Sequence, residues 1–148
     1  MALTLVAGTC VAASSLQQPA KGHPKITLRT TPGMAVAPAR ILAIAELVGG
    51  ADDDADFYCP RVEWTWGDQT TSDQQSDCDP YVPGKSTIDR RISADHRYDM
   101  KGIYPIFVKL FQGQKEVGSA RGSVTITSGM ILTPPTAAAL PWRSGHGF

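Results

Sequence analysis

Hydrophobic and polar residues alternate along two central stretches of the chain. Over residues 62–66 the apolar side chains occupy every second position, and Gly67-Asp68 then follows with residues typical of a turn. A second alternating run covers residues 104–110. A period of two places successive side chains on opposite faces of a strand. The two runs are therefore predicted to be core strands of one β-sandwich, each with a buried and a solvated face.

Shorter patterns predict the remaining strands. Residues 25–30 and 41–48 alternate in the same way, with Thr31-Pro32-Gly33 as the turn signal between them. Residues 88–94 place isolated apolar side chains among charged ones, which predicts an exposed strand, and residues 119–127 end in the run that predicts the last strand. No segment has the apolar spacing of an amphipathic helix. The sequence thus predicts an all-β fold, an antiparallel β-sandwich.

The order of these features resembles the PKD (polycystic kidney disease) domain, an immunoglobulin-like (Ig-like) module. The family patterns W-D-F-G-D-G and H-x-Y-x-x-x-G-x-Y-x-V-x-L correspond here to Trp64, Thr65, Trp66, Gly67, Asp68, Gln69, His96, Tyr98, Gly102, Tyr104, Ile106 and Val108. The resemblance covers residues 24–127. It implies an Ig-like (PKD-type) antiparallel β-sandwich with flexible N- and C-terminal extensions. It also implies a location outside the cell or in the periplasm, and contacts with proteins or carbohydrates.

Three positions depart from the family pattern. Thr65 replaces the usual Asp, Gln69 replaces the last Gly, and Pro105 lies inside a predicted strand. A residue with a Cβ resists positive φ, so Gln69 leaves the geometry of the turn open. Pro105 has no N–H, which predicts either a strand position outside the hydrogen-bonded ladder or a local bulge.

The 148 residues suffice for one domain with its own core. Residues 1–13 are small and apolar and end in Val-Ala-Ala, which favours a signal peptide. No basic residue precedes Lys21, so this signal is either incomplete at its start or weak. The alternatives are a disordered or partly buried N-terminal segment, or lipid attachment at Cys10. Residues 14–24 are then a linker, residues 25–127 the PKD-like domain, and residues 128–148 an extended Pro/Ala-rich tail.

Export would leave Cys59 and Cys78 as an even pair in an oxidising compartment. We expect them to form a disulfide whose loop of about twenty residues contributes roughly 3 kcal/mol in the chain-entropy model. The bridge would fasten residues 70–86, a polar stretch rich in turn-forming residues that is predicted to be a loop. A metal or redox pair is the alternative, but the sequence offers neither CxxC spacing nor a nearby His.

Charge and motif content exclude several classes of function. The 14 Lys and Arg residues balance 14 Asp and Glu residues, so no overall field recruits nucleic acid or an anionic membrane. The chain has no GxSxG, no HExxH, no phosphate-binding glycine loop and no Cys paired with a His by sequence. We therefore predict a protein that is not an enzyme and has no nucleic-acid partner.

The acidic run Asp52, Asp53, Asp54 and Asp56 is the best candidate for metal chemistry. Carboxylate oxygens are the ligands that Ca²⁺ prefers, and extracellular calcium is high enough to fill weak sites. The run lacks the Gly and the terminal Glu of an EF-hand loop, and acidic loops are often merely solvated. We expect no cofactor, with a weak calcium site as the one exception to test.

The remaining candidate residues have structural explanations. Trp64 and Trp66 could stack on a sugar, but the strand parity favours a place in the core for at least one of them. Tyr104 resembles a tyrosine corner, whose hydroxyl binds nearby backbone. Asp68 is expected to close its turn through an Asx-type hydrogen bond, and His96 to make a structural hydrogen bond.

Because no catalytic domain accompanies the module in this sequence, we expect an exported structural or accessory subunit of an extracytoplasmic or membrane-associated assembly, or a domain that self-associates. Membrane contact would be indirect, or through an uncleaved or lipidated N-terminus. Binding would use a sheet edge and apolar residues of the tail. These tail residues are Ile131, Leu132, Leu140, Trp142 and Phe148.

The alternative is a carbohydrate-binding module of a secreted or cell-surface protein. Such a module needs an exposed aromatic platform, for which Phe57, Tyr58 and Tyr81 are the candidates. The assembly subunit instead predicts exposed apolar residues along the tail or along one sheet edge.

Overall fold

Two β-sheets packed face to face form the part of the chain that the structure, a computed structural model, describes, residues 22–129. Its strands are β1 Lys25–Thr31, β2 Met34–Ala37, β3 Ala39–Val48, β4 Arg61–Thr65, β5 Thr71–Gln74, β6 Arg91–Tyr98, β7 Gly102–Gln112 and β8 Lys115–Ser128. A single 3-10 turn, Ala55–Phe57, lies between β3 and β4. Within residues 22–129 no helix is long and apolar enough to cross a membrane.

The smaller sheet has the strand order β1-β3-β6, and the larger sheet has the order β2-β8-β7-β4-β5. Neighbouring strands are antiparallel, except that β2 runs parallel to β8. The chain passes from one sheet to the other five times, between β1 and β2, β2 and β3, β3 and β4, β5 and β6, and β6 and β7. The predicted all-β, Ig-like sandwich is confirmed.

The core lies between the sheets and follows the period-two pattern of the sequence. Each strand buries alternate side chains, so β4 and β7 of the larger sheet face β3 and β6 of the smaller one. The largest fully buried side chains are Trp64, Trp66, Tyr98, Phe57, Ile41, Ile106, Leu110, Val108 and Val124. Burial of each large apolar side chain stabilises the fold by about 1.5–3 kcal/mol. The prediction that residues 62–66 and 104–110 form core strands is confirmed.

Two strands are absent from the sequence prediction. β2 has only four residues and lies between Pro32 and Pro38, so no alternating run is long enough to mark it. β5 is polar throughout and joins the sheet by pairing with β4, which means that residues 70–86 are not entirely a loop. Both strands are held by backbone pairing with distant parts of the chain, a contribution that hydrophobic periodicity does not report.

Two predicted strands have different bounds. β6 covers Arg91–Tyr98 instead of residues 88–94, because its inner face continues through Ala94 and His96, which are weak hydrophobic signals. β8 begins at Lys115, four residues before its predicted start. Pro105 lies within β7, and on the β4 side it is two residues beyond the last ladder pair, so its missing N–H costs no hydrogen bond to β4. The bulge in this region is at Leu110/Phe111.

Candidate functional site

Five aromatic side chains of the predicted motif form one continuous column in the described domain. Trp64 stacks on Trp66 with ring centroids 5.6 Å apart, and Trp66 stacks on His96 at 4.7 Å. His96 meets Tyr98 edge to face at 4.8 Å, and Tyr98 stacks on Tyr104 at 4.4 Å. The two indoles come from β4 and the residue after it, whereas His96 and Tyr98 come from β6, so the column joins the two sheets. Geometries of this kind add about 0.5–1.5 kcal/mol per pair beyond burial.

The polar atoms of this column are hydrogen bonded. The buried hydroxyl of Tyr98 donates to the backbone carbonyl of Trp66 at 2.8 Å. Trp66 Nε1 donates to Ser72 Oγ at 3.0 Å, and Trp64 Nε1 donates to Gln74 Oε1 at 2.8 Å. Burial raises the pKa of Tyr98, and the nearby Asp68 carboxylate raises it further, so the hydroxyl stays a neutral donor. Both tryptophans are 1% exposed or less, which leaves neither as a sugar-stacking surface.

Asp68 connects the turn after β4 to the opposite sheet. Its Oδ1 accepts hydrogen bonds from the Thr70 backbone N–H at 3.1 Å and from the Thr70 hydroxyl. Its Oδ2 lies 2.7 Å from His96 Nε2. Burial acts to raise the pKa of Asp68, but the hydrogen bonds from Thr70 and His96 outweigh it and hold the pKa below its usual value. The carboxylate closes its own turn, as the sequence predicts, and also fastens β6 to that turn.

The turn after β4 accommodates Gln69 at the position where the family pattern has Gly. Gly67 has φ +81°, and a Cβ at this position would collide with the backbone of Pro105. Gln69 also has positive φ, +72°, so the turn keeps the left-handed geometry although the residue has a side chain. Tyr104, the predicted corner tyrosine, donates its hydroxyl to the Met100 carbonyl at 2.9 Å. Gly102 lies beneath that ring, where a Cβ would be 3.0 Å from Tyr104 Cζ.

A disulfide joins Cys59 to Cys78, whose Cα atoms are 6.3 Å apart and whose sequence separation is 19. It fastens the segment between β5 and β6 to the start of β4. Two tyrosines reinforce the attachment, because Tyr58 donates to the Asp79 carbonyl at 3.0 Å and Tyr81 donates to the Asp53 carbonyl at 2.6 Å.

The candidate carbohydrate platform is only partly available. Phe57 is 2% exposed and packs in the core, so the expectation that it is a surface aromatic is wrong. Tyr58 and Tyr81 contact each other at 5.4 Å and are half-buried. Next to Tyr58 a groove of about 670 Å³ lies between β5 and β6, lined by polar residues that include Asp89 and Arg91.

The acidic loop is held by three ion pairs. Asp52 lies 2.6 Å from Arg90, Asp54 lies 2.8 Å from His23 Nδ1, and Asp56 lies 2.9 Å from Lys115 Nζ. The hydrogen bond from Lys115 lowers the pKa of Asp56. Asp53 contributes its backbone carbonyl, which accepts a hydrogen bond from the Tyr81 hydroxyl.

Two basic residues that the sequence analysis overlooked organise this loop. Arg90 donates to the carbonyls of Leu47, Gly49 and Gly50 as well as to Asp52. His23 completes a cluster in which one ligand atom each from His23, Asp54 and Asp56 lies within 4.8 Å of the others. Neither residue belongs to a sequence pattern that marks such a role. Calcium binding at the acidic run stays a prediction.

The predicted partner-binding residues Ile131, Leu132, Leu140, Trp142 and Phe148 lie outside the described residues, as do the signal segment and Cys10. The described chain reaches them through β8, whose last residue, Ser128, pairs with Ala37 at the end of β2.

Comparisons with known proteins support the fold. No protein-family profile matches the sequence, and no curated protein matches it. Among solved structures, the chain is similar to the PKD domain of an M14-like peptidase from a Thermoplasmatales archaeon, with 15% identity, a TM-score of 0.50, and coverage of 74% of this chain and 100% of that one. A CARDB domain from Pyrococcus furiosus, solved in complex with di-metal ions, matches with 9% identity, a TM-score of 0.46, and coverage of 72% and 96%. The two-sheet topology and the similarity to the PKD domain together give this chain the fold of a PKD-like, Ig-like β-sandwich.

Proposed function

We propose that this domain is a non-catalytic, exported interaction module, a structural or accessory subunit of an extracytoplasmic or membrane-associated protein assembly. The observation that carries the proposal is an apolar sheet edge. β2 is an edge strand of the larger sheet, and its Met34 and Val36 side chains are 64% and 53% exposed. An edge strand offers unpaired backbone groups to a partner, and exposed apolar side chains beside them favour a protein partner.

The chain itself continues from this edge. Because Ser128 pairs with Ala37, the described part of the chain ends close to β2, and residues 130–148 follow it in sequence. Their sequence holds five large apolar residues, Ile131, Leu132, Leu140, Trp142 and Phe148. We propose that this segment and the β2 edge form one binding surface, in which the segment adds to the partner's sheet or lies in its groove. Aromatic anchors such as Trp142 are typical of interface hot spots.

Two further observations support export and an accessory role. Disulfides persist in oxidising compartments, and Cys59 and Cys78 form a disulfide in this domain. The structurally similar PKD domain belongs to an M14-like peptidase, so the same fold serves there as one domain of a larger protein. The stacked side chains of Trp64, Trp66, His96 and Tyr98 join the two sheets, so the chemistry of these motif residues is structural. A structural role for these residues supports a function that depends on surface contacts.

Native mass spectrometry of the protein, gently extracted from its source, tests this proposal. We expect a stoichiometric complex in which the subunit lacks the residues before about Ser14. Truncation after Gly129, or replacement of Met34 and Val36 together by Thr, should leave thermal melting nearly unchanged and abolish the complex. Val48→Thr, on the outer face of the smaller sheet, is the matched control. A free, processed monomer would contradict the proposal.

The groove beside Tyr58 favours carbohydrate binding as a second candidate. It combines one half-buried aromatic ring with carboxylate and guanidinium groups from Asp89 and Arg91, which could stack on and hydrogen bond to a sugar. A polysaccharide pull-down of the full chain measures this directly. Retention that Tyr58→Leu removes and Phe111→Leu preserves would support a carbohydrate site. Retention that is equal for both variants, or absent, would exclude the groove as that site.

A further inference from the structure

The groove beside Tyr58 lies between two edge strands, and we call it the β5–β6 groove. β5 is an edge strand of the larger sheet, β6 is an edge strand of the smaller sheet, and residues of both line the groove. Its floor contains the buried side chains of Pro60 and Val62 and the half-buried side chain of Ile92. The groove therefore combines an apolar floor with walls formed by two strand edges.

The backbone of both strands directs groups toward the groove that the sheets do not use. In β6, the Arg90 carbonyl accepts a hydrogen bond from β3, so the alternation of pairing directs the N–H and C=O of Ser93 away from β3. In β5, the Thr70 carbonyl accepts a hydrogen bond from the residue after β4, and the same alternation directs the N–H and C=O of Asp73 away from β4. Ser93 and Asp73 both line the groove. Each wall thus offers backbone donors and acceptors to a ligand.

A side-chain amide already binds one of these backbone groups. Gln74 Nε2 donates to the Ser93 carbonyl at 3.2 Å and so connects β5 to β6. A side-chain amide N–H has the chemistry of a peptide N–H, so the Ser93 carbonyl is placed to accept from a peptide backbone in the groove. Gln74 Oε1 also accepts from Trp64 Nε1 at 2.8 Å, a contact that keeps Gln74 in place when a ligand replaces it on Ser93.

The spacing between packed sheets suits one added strand. Packed sheets lie about 10 Å apart, and a strand that pairs on both sides needs about 4.8 Å to each neighbour, about 9.6 Å in all. Residues 73–76 of the β5 wall line the groove, which corresponds to about 14 Å at about 3.4 Å per residue. The groove volume of about 670 Å³ is within the usual range of ligand sites. The groove therefore fits an extended segment of about four residues.

The charged residues that line the groove nearly balance. Asp73 lies 2.7 Å from Arg61, and Asp89 accepts a hydrogen bond from the Arg91 backbone N–H at 3.0 Å. The Arg91 side chain belongs to a residue that is cross-strand from Glu46. Two carboxylates and one guanidinium on the walls attract neither a strongly acidic nor a strongly basic ligand. The backbone edges and the apolar floor are left to select the ligand.

We propose that the β5–β6 groove binds an extended segment of a protein partner, which inserts as a strand between the two sheets. Pairing with both edges supplies the hydrogen bonds, and an apolar side chain of the segment packs on Val62 and Ile92. A peptide fits better than a carbohydrate here, because N–H and C=O groups repeat at every second residue of each wall, as they do along a peptide. The site lies at the opposite edge of the larger sheet from β2, so it is separate from the binding surface proposed above.

Peptides selected on the domain supply the probe. Phage display of random linear heptapeptides on the oxidised full chain should enrich sequences with apolar residues at alternate positions. Fluorescence anisotropy of a labelled synthetic copy of the most enriched peptide gives its Kd. N-methylation of single peptide amides should weaken binding at consecutive residues, because successive N–H groups point to opposite walls. At a single edge such as β2, only every second N–H would matter.

Two proline variants test the β6 wall. Ser93→Pro removes an N–H that lines the groove and should weaken peptide binding at least about fivefold. Asp95→Pro is the matched control, because its N–H also points away from β3 but Asp95 does not line the groove. Neither change removes a ladder hydrogen bond, and thermal melting checks that both variants fold. If either variant fails to fold, the N-methyl scan decides. Replacing Met34 and Val36 together by Thr should leave the Kd unchanged.

The possible results separate this proposal from the others. No enriched peptide, equal effects of Ser93→Pro and Asp95→Pro, or sensitivity to N-methylation at every second residue only would overturn the peptide site. Polysaccharide retention that Tyr58→Leu removes, without peptide binding, would assign the groove to a sugar. None of these results affects the complex expected in native mass spectrometry, which depends on the β2 edge and the tail. Peptide binding that responds as described, without a complex from the source, would keep the groove site and remove the assembly subunit.

Discussion

The buried hydroxyl of Tyr98 allows a sharp test of how the two sheets are held together. Tyr98 is 1% exposed, and its hydroxyl donates to the Trp66 carbonyl at 2.8 Å. In Tyr98→Phe the ring and its stacking remain, whereas the carbonyl loses its donor in a region that excludes water. An unsatisfied buried group of this kind costs about 1–3 kcal/mol. For a domain of about 100 residues, each kcal/mol lowers the melting temperature by about 4–8 °C. A loss of about 2 kcal/mol therefore predicts a fall of about 8–16 °C.

Tyr104→Phe is the matched control, because it removes the same atom from the neighbouring ring. The Tyr104 hydroxyl donates to the Met100 carbonyl in an exposed position, where water replaces it, so the loss should stay below about 1 kcal/mol. Urea unfolding followed by tryptophan fluorescence gives both free energies, and calorimetry gives the melting temperatures. Equal losses in the two variants, or a Tyr98→Phe loss below about 0.5 kcal/mol, would refute the claim that burial decides the strength of this contact.

Four further changes probe the turn and the crosslink. Gly67→Ala should lower the free energy of unfolding by about 2 kcal/mol or more, because alanine would have to adopt a left-handed φ and its Cβ would collide with the backbone of Pro105. Gln69→Gly should raise the free energy of unfolding by about 0.5–1 kcal/mol, because glycine adopts the left-handed φ without strain. Replacing Cys59 and Cys78 by Ser should cost about 3 kcal/mol, measured by urea unfolding. Burial acts to raise the pKa of Asp68, but hydrogen bonds from Thr70 and His96 outweigh it, so the pKa is lower in the folded protein than in the unfolded chain. The Asp68 carboxylate therefore contributes its full stabilisation of the fold above the unfolded pKa of about 3.9. This stabilisation is lost as the pH falls through the folded pKa. Asp68→Asn should therefore flatten the acid side of a plot of melting temperature against pH.

Three of these predictions have a distinct outcome that would contradict them. An unchanged stability of Gly67→Ala would show that the turn can adopt another geometry. If Gln69→Gly destabilised the domain, the entropy of the unfolded chain would outweigh the strain at φ +72°. For Asp68→Asn, an acid limb as steep as that of the wild type would mean that other carboxylates control acid unfolding.

The sequence predicts the parts of the fold that depend on local pattern. The alternation around Trp64 and Trp66 identifies β4, and the run from Tyr104 identifies β7, because burial on one face alone determines these patterns. The turn chemistry of Gly67 and Asp68 is readable for the same reason, since it needs only neighbours in sequence. The pairing of Cys59 with Cys78 follows from the count of cysteines once Cys10 is set aside.

The parts that escape prediction depend on contacts between distant segments. β2 and β5 exist because β8 and β4 offer them hydrogen-bonding partners, and their own residues carry little signal. The partner of Asp68 on the opposite sheet, His96, is predicted only as an unspecified hydrogen bond. Phe57 follows an acidic run and looks like a surface residue, yet the 3-10 turn that contains it directs its ring into the core.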